Sequence, residues 1–453
     1  MKNHKRVVRG AVSLGLGALM AKILGAVYRI PLTNYLGSYG LGLYQMVFPV
    51  YTLLLDFSGA GVPSAISKLI ASGREDEREK RAYDFLTSSL RLLFILGAVG
   101  MVFMILSSIP LSTLQGDEKA YLGYLFLSPA IVLFALISCF RGYFQGLMDM
   151  SPTAISQVIE QVVKLVFGLL FVKLLIKDVT FAVAGATFAI TLSEVVAIAY
   201  LYYKYRRRRK VNRLAFDFDR LGHKRRLKTI LKTTIPVTLI GVMLPLSHVI
   251  DSFIVVNVLS GYRSDATSLY GLISGVAHTV VNLPVAVCYG VASVAIPAVS
   301  SSIGLEEKRK NAVKTLSLTA VVSIVGAVLC YFFAPLIIRV LFRKLSVDEK
   351  NTSLNLIRLL SPTVVLLSVL QTSNAVLIGM GKLYAPIFSL GVGVALKTVL
   401  ALVLLNIPSL NVYGSAIATI ACYFFVCLVN LIMIFAKRIK YESSATQIRR
   451  SIG

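Results

Sequence analysis

Residues 126–172 read FLSPAIVLFALISCFRGYFQGLMDMSPTAISQVIEQVVKLVFGLLFV, and residues 359–405 read LLSPTVVLLSVLQTSNAVLIGMGKLYAPIFSLGVGVALKTVLALVLL. Laid one on the other, Ser128-Pro129 answers Ser361-Pro362, Gly146 answers Gly379, and Lys164 answers Lys397. Upstream, residues 43–72 echo residues 269–301. The chain is therefore read as a duplication. Its halves are membrane-embedded, because apolar runs of 18 or more residues recur along the whole length. The 453 residues are 56% hydrophobic and only 15% charged, against about 25% charged in a soluble domain.

Twelve such runs can be marked between residues 10 and 436, six in each half. An even number per repeat gives both halves the same orientation. A pseudo-two-fold axis along the membrane normal and a cavity between the halves then follow. The fold expected is all-α and polytopic, with twelve transmembrane helices in two parallel-repeat six-helix lobes around a central cavity. Residues 1–203 form the N-terminal lobe, 204–228 a basic linker, 229–436 the C-terminal lobe and 437–453 a tail. An outer-membrane barrel is excluded, since the runs are too long and do not alternate.

The net charge of +26 does not point to nucleic acid, because the cations sit in short segments between apolar runs. One set of connections holds the N-terminal cations, SGREDEREKR, the linker, LEEKRKNAVK and AKRIK; the other set is nearly free of Lys and Arg except around Arg339 to Lys350. The positive-inside rule places both termini in the cytoplasm, in a multi-pass protein of the cytoplasmic membrane. The MKNHKRVVRG start lacks a cleavage site and opens an uncleaved first span. The linker serves as a topology determinant, or alternatively as a binder of anionic lipid headgroups. Five cysteines without a C-x-x-C pair read as buried free thiols. No H-E-x-x-H is present, and GMGKLYA lacks the first glycine and Ser/Thr of a P-loop. No cofactor or metal is expected.

Charges inside the spans carry the functional reading. Each costs roughly 2.5–3.5 kcal/mol at the bilayer centre and usually faces a cavity or a partner. Lys22 and Arg29 lie seven residues apart in span one, so both point to one helix face. A cavity facing an anionic substrate would use them, an Arg fork suiting phosphate oxygens and Lys a mobile point charge. Asp56 of span two is a third substrate-binding candidate, and its pairing with these cations is the alternative. Glu160 and Lys164 are spaced i,i+4 with the acid first, the favourable order for an ion pair. Arg141 is read as snorkelling from the end of its span. With Gln157, Glu194 and Lys397, these are central-cavity or ion-pair candidates. Asp251, flanked by His248, could bind a coupling cation (sodium or a proton) or form a fixed bridge with Lys397.

FRGYFQGLMDMSPTAISQVIEQVVK (140–164), GAGVPSAISKLIASGRE (59–75) and IPVTLIGVMLPLSHVIDSFIVVNVL (235–259) resemble the polysaccharide-transporter branch of the multidrug/oligosaccharidyl-lipid/polysaccharide flippase superfamily. The closest likeness is to the stage V sporulation protein B family and the lipid II flippases. The resemblance implies two six-helix lobes and a V-shaped alternating-access cavity. Its substrates are undecaprenyl-diphosphate-linked saccharides of the cell wall or spore cortex, turned from the cytoplasmic to the outer leaflet. Lys22 and Arg29 match the basic cavity positions of span one, with one residue of slack. Asp56 stands where lipid II flippases carry a basic residue, and the two further helices of those proteins have no counterpart in the twelve spans. Asp251 matches the span-seven acid of sodium-binding relatives, whereas Lys397 opposes sodium.

The leading expectation is a transporter, not an enzyme: a flippase for a lipid-linked saccharide. A cation-coupled multidrug exporter of the same fold is the runner-up. A third class, a non-transporting scaffold for cell-wall synthesis enzymes, predicts that Lys22 and Arg29 are dispensable.

Overall fold

The computed structural model describes residues 2–71, 78–212, 220–300, 302 and 304–436, and these are almost entirely helical. The first half contains α1 (Lys2–Leu55), a π-helical turn (Asp56–Ala60), α2 (Val62–Ala71), α3 (Arg78–Leu106), α4 (Ser108–Leu114) and α5 (Tyr121–Leu127). It continues through α6 (Pro129–Gly146), α7 (Ser151–Leu175) and α8 (Val179–Asn212). The second half contains α9 (Arg220–Ser260), α10 (Ala266–Tyr270), a second π-helical turn (Gly271–Ala277) and α11 (His278–Ser300). Then come α12 (Leu305–Leu341), α13 (Val347–Leu360), α14 (Pro362–Gly379), α15 (Ala385–Leu405) and α16 (Tyr413–Phe435). Helices are the economical answer to hydrocarbon, because every internal N–H finds its carbonyl within the segment.

Ten stretches among the described residues are long and apolar enough to cross a membrane. One of them, Ile23–Ala71, is longer than one crossing needs and contains a break at Gly37 (φ 70°, ψ −176°). That backbone favours glycine, and it separates spans one and two. Helix α7 falls outside the ten; it carries Glu160, Lys164 and Lys173. The helices are consistent with the twelve spans expected, and the chain is a multi-pass membrane protein. Large apolar side chains such as Phe332 and Val321 of α12 lie exposed on the outside, where lipid would meet them.

The duplication is visible atom by atom. Pro129 and Pro362 each open a helix, and the preceding Ser128 and Ser361 hydroxyls each donate to the carbonyl three residues back, at 2.8 Å. At the other end, Asp149 N donates to Phe144 O and Lys382 N to Leu377 O, closing the same turn around left-handed Met148 and Gly381. Gly146 then packs on Ile70 of α2, and its counterpart Gly379 on Val299 of α11.

Hydrogen bonds clamp the two lobes together along one seam. Gln45 Nε2 donates to Ser274 O, Asn34 Nδ2 to Leu341 O, and Ser38 to Glu349. Thr267 donates to Asp117, and Gln115 to Ser252. Glycines allow this approach: a Cβ on Gly42 would lie 2.1 Å from Thr267 O, and one on Gly271 2.2 Å from Ser38 O. Gly271→Leu is therefore expected to part the seam. Thiol labelling of a Ser38→Cys reporter should quicken at least about tenfold, buried positions being protected while closed. The native cysteines are buried and should contribute little background.

Candidate functional site

A cavity of about 390 Å³ lies between the lobes. Tyr28, Arg29, Tyr44 and Phe48 of α1 and Lys164 of α7 make one wall. Helices α9, α11, α14 and α16 supply the other. Arg29 Nη1 donates to Thr279 Oγ1 at 3.2 Å across the gap, and its guanidinium lies 5.5 Å from the Phe48 ring centroid. The Lys164 ammonium lies 5.6 Å from the Tyr28 ring centroid. Gly168, one turn along α7, explains this placement. A Cβ there would come within 2.6 Å of the Tyr28 hydroxyl, so only glycine lets α7 close onto α1. The Tyr28 side chain is 1% exposed and its hydroxyl has no partner among the described residues.

Neither Arg29 nor Lys164 forms an ion pair among the described residues. Aromatic faces offset part of their desolvation, yet most of their donors meet no acceptor among the described residues. A guanidinium carries five N–H groups and an ammonium three. Two such cations give this cavity wall the polarity to receive an anion. The backbone of Lys22 belongs to α1, and its side chain lies outside the described residues.

Glu160 does not take Lys164 as the i,i+4 spacing suggests. It pairs with Arg141, whose Nε and Nη2 each also donate to Ser156 Oγ at 3.1 Å. The α6–α7 hairpin sets Arg141 against the Ser156 and Glu160 face. Each four-residue step turns about 40° around the helix, which carries Lys164 toward α1. Arg141 is 6% exposed, so it is buried and does not snorkel to the interface. Glu194 of α8 joins this cluster, with Glu160, Arg141 and Lys164 as its charged neighbours and Oε2 without a partner among the described residues. The Gln157 Oε1 is likewise buried without a partner. Asp56 sits in the first π-helical turn, facing Gly241 of α9. It makes no ion pair among the described residues and does not line the cavity, so the pairing considered for it with Arg29 is not made.

In the second lobe the equivalent lysine is closed off. Lys397 donates to Asp251 and, at 3.2 Å, to Ser247, and it is 1% exposed. His248 Nδ1 stands 3.9 Å from the same carboxylate and also lines the cavity. One lysine of the repeated pair thus faces the cavity, and the other is neutralised behind it. Sequence reasoning missed His278, Thr279, Gln371 and Tyr423, which line the second wall. They are single polar positions scattered over apolar helices, with no spacing to join them.

Two repeated helical lobes around a central, membrane-embedded cavity define a membrane transporter. The chain belongs to the polysaccharide biosynthesis protein family, whose model matches residues 7–303. It is 26% identical over 435 residues to stage V sporulation protein B of Bacillus subtilis (strain 168), covering 93% of this chain and 82% of that one. It is 25% identical over 459 residues to the lipid II flippase MurJ of the same organism, covering 95% and 82%. Among solved structures, the inward-facing form of a multidrug resistance MATE family transporter of the MOP superfamily superposes with a TM-score of 0.75. That match covers 94% of this chain and 97% of the other at 16% identity, a likeness of fold.

Proposed function

We propose that this chain is a flippase moving an undecaprenyl-diphosphate-linked saccharide precursor of the cell wall or spore cortex across the cytoplasmic membrane. The carrying observation is the cavity wall on which Arg29 and Lys164 present cations that make no ion pair among the described residues. A drug exporter for organic cations would want the reverse polarity. Kinship with a lipid II flippase and a sporulation protein supports a lipid-linked precursor as the substrate class.

In the cycle proposed, the diphosphate enters from the cytoplasmic leaflet and is held by Arg29 and Lys164 while the prenyl chain stays in lipid. The seam around Gly42 and Gly271 then opens toward the outer leaflet and releases the headgroup. Both termini are cytoplasmic in this reading, following the distribution of Lys and Arg among the loops. The coupling cation considered at Asp251 and His248 is not needed, because the Lys397 ammonium already neutralises the carboxylate.

The test is translocation of a labelled undecaprenyl-diphosphate oligosaccharide in sealed proteoliposomes, run in sodium and again with choline in its place. Transfer in both buffers is expected. Folded protein that transfers nothing contradicts the function, and transfer in sodium alone contradicts the reading of Asp251.

A further inference from the structure

The two cavity walls differ in kind. The first carries both cations; the second contains no Lys, Arg, Asp or Glu among its lining residues. In their place stand His248, His278, Asn282, Gln371 and Tyr423. The Gln371 amide makes no hydrogen bond to a described residue, and its Oε1 is buried without a partner. A buried amide oxygen left unmatched is costly unless a ligand or water supplies the donor. Asn282 is exposed to the cavity and makes no side-chain hydrogen bond among the described residues. The His248 and His278 rings lie 6.1 Å apart, edge to face. Asp251, the carboxylate beside His248, is taken by Lys397.

Amides, imidazoles and a phenol offer donors and acceptors together, at fixed positions and without net charge. Vicinal hydroxyls have the matching chemistry, each group both donating and accepting. From this juxtaposition we propose that the second wall is a saccharide subsite. Gln371 and Asn282 read hydroxyl or acetamido groups of an uncharged sugar, while Arg29 and Lys164 hold the diphosphate opposite. This rests on the flippase reading and deepens it. The subsite sets which glycan is carried, and the cationic wall sets that a diphosphate is carried at all. A sugar bearing its own carboxylate would find no cation on the second wall.

The test compares two labelled lipids, undecaprenyl diphosphate bearing a neutral oligosaccharide and bare undecaprenyl diphosphate. Binding in detergent and translocation in proteoliposomes are both measured. Wild type should favour the sugar-bearing lipid. In Gln371→Leu/Asn282→Leu that preference should fall at least about tenfold, in line with losing polar partners for sugar hydroxyls, while the bare lipid is handled as by wild type. Arg29→Ala should weaken both lipids together. The milder Gln371→Met, close in shape and apolar, is expected to fold and to lose part of the preference. A preference that survives Gln371→Met and the double variant overturns the subsite, as does an equal loss on both lipids. Wild type that translocates neither lipid overturns the flippase reading instead, and the binding ratio still decides the subsite.

Discussion

Replacing Arg29 and Lys164 together with alanine is expected to lower translocation of a diphosphate-linked saccharide at least about 100-fold. A hydrogen bond to a charged group contributes roughly 1.5–3 kcal/mol. Two such groups acting on one diphosphate contribute about twice that, so a 100-fold loss is the conservative end of the range. Folding should not suffer in step. Neither cation closes an ion pair among the described residues, so their removal breaks no direct bridge. Thermal unfolding of the double variant should stay within a few degrees of wild type, while proteoliposome transfer collapses. Equal transfer by variant and wild type would keep the flippase and dissociate these cations from the substrate.

Lys397→Met is expected to act in the opposite way, as a stability lesion. The Asp251 carboxylate is 7% exposed and takes the Lys397 ammonium directly. Removing one partner of a buried ion pair leaves an uncompensated charge, at a cost of about 3–5 kcal/mol. Removing both partners should be far milder, so Lys397→Met/Asp251→Leu is expected to recover most of the loss. A double-mutant cycle read by thermal unfolding measures this coupling, and neighbouring groups of this kind typically couple by about 0.5–3 kcal/mol. The repeat supplies an internal control. Lys164→Met, at the equivalent position of the first lobe, should cost little stability and much transport. A similar stability loss at both lysines would mean that Lys164 is also held by a carboxylate.

The architecture was largely legible, because it rests on signals that a sequence carries directly. Ser128-Pro129 and Ser361-Pro362, with the two later glycines, mark the duplication, and apolar runs mark the spans. Arg29 was legible as well: a cation in an apolar run demands an explanation. The pairing of charges was not. Glu160 could reach Lys164 by spacing, and only the approach of α6 decides that Arg141 takes it. Lys164 and Lys397 look alike in sequence, yet Asp251 sits beside one of them only, a fact of helix packing. Of the second wall only His248 stood out, since Gln371, Asn282 and His278 meet only when α11 and α14 pack on each other.

The most direct measurement is a cryo-electron microscopy structure of the full chain with an undecaprenyl-diphosphate saccharide bound. The diphosphate is predicted within hydrogen-bonding distance of both the Arg29 guanidinium and the Lys164 ammonium, with the saccharide turned toward Gln371. A headgroup bound away from these two cations, or a cavity that stays closed to it at saturating lipid, would contradict the assignment of this wall to the diphosphate.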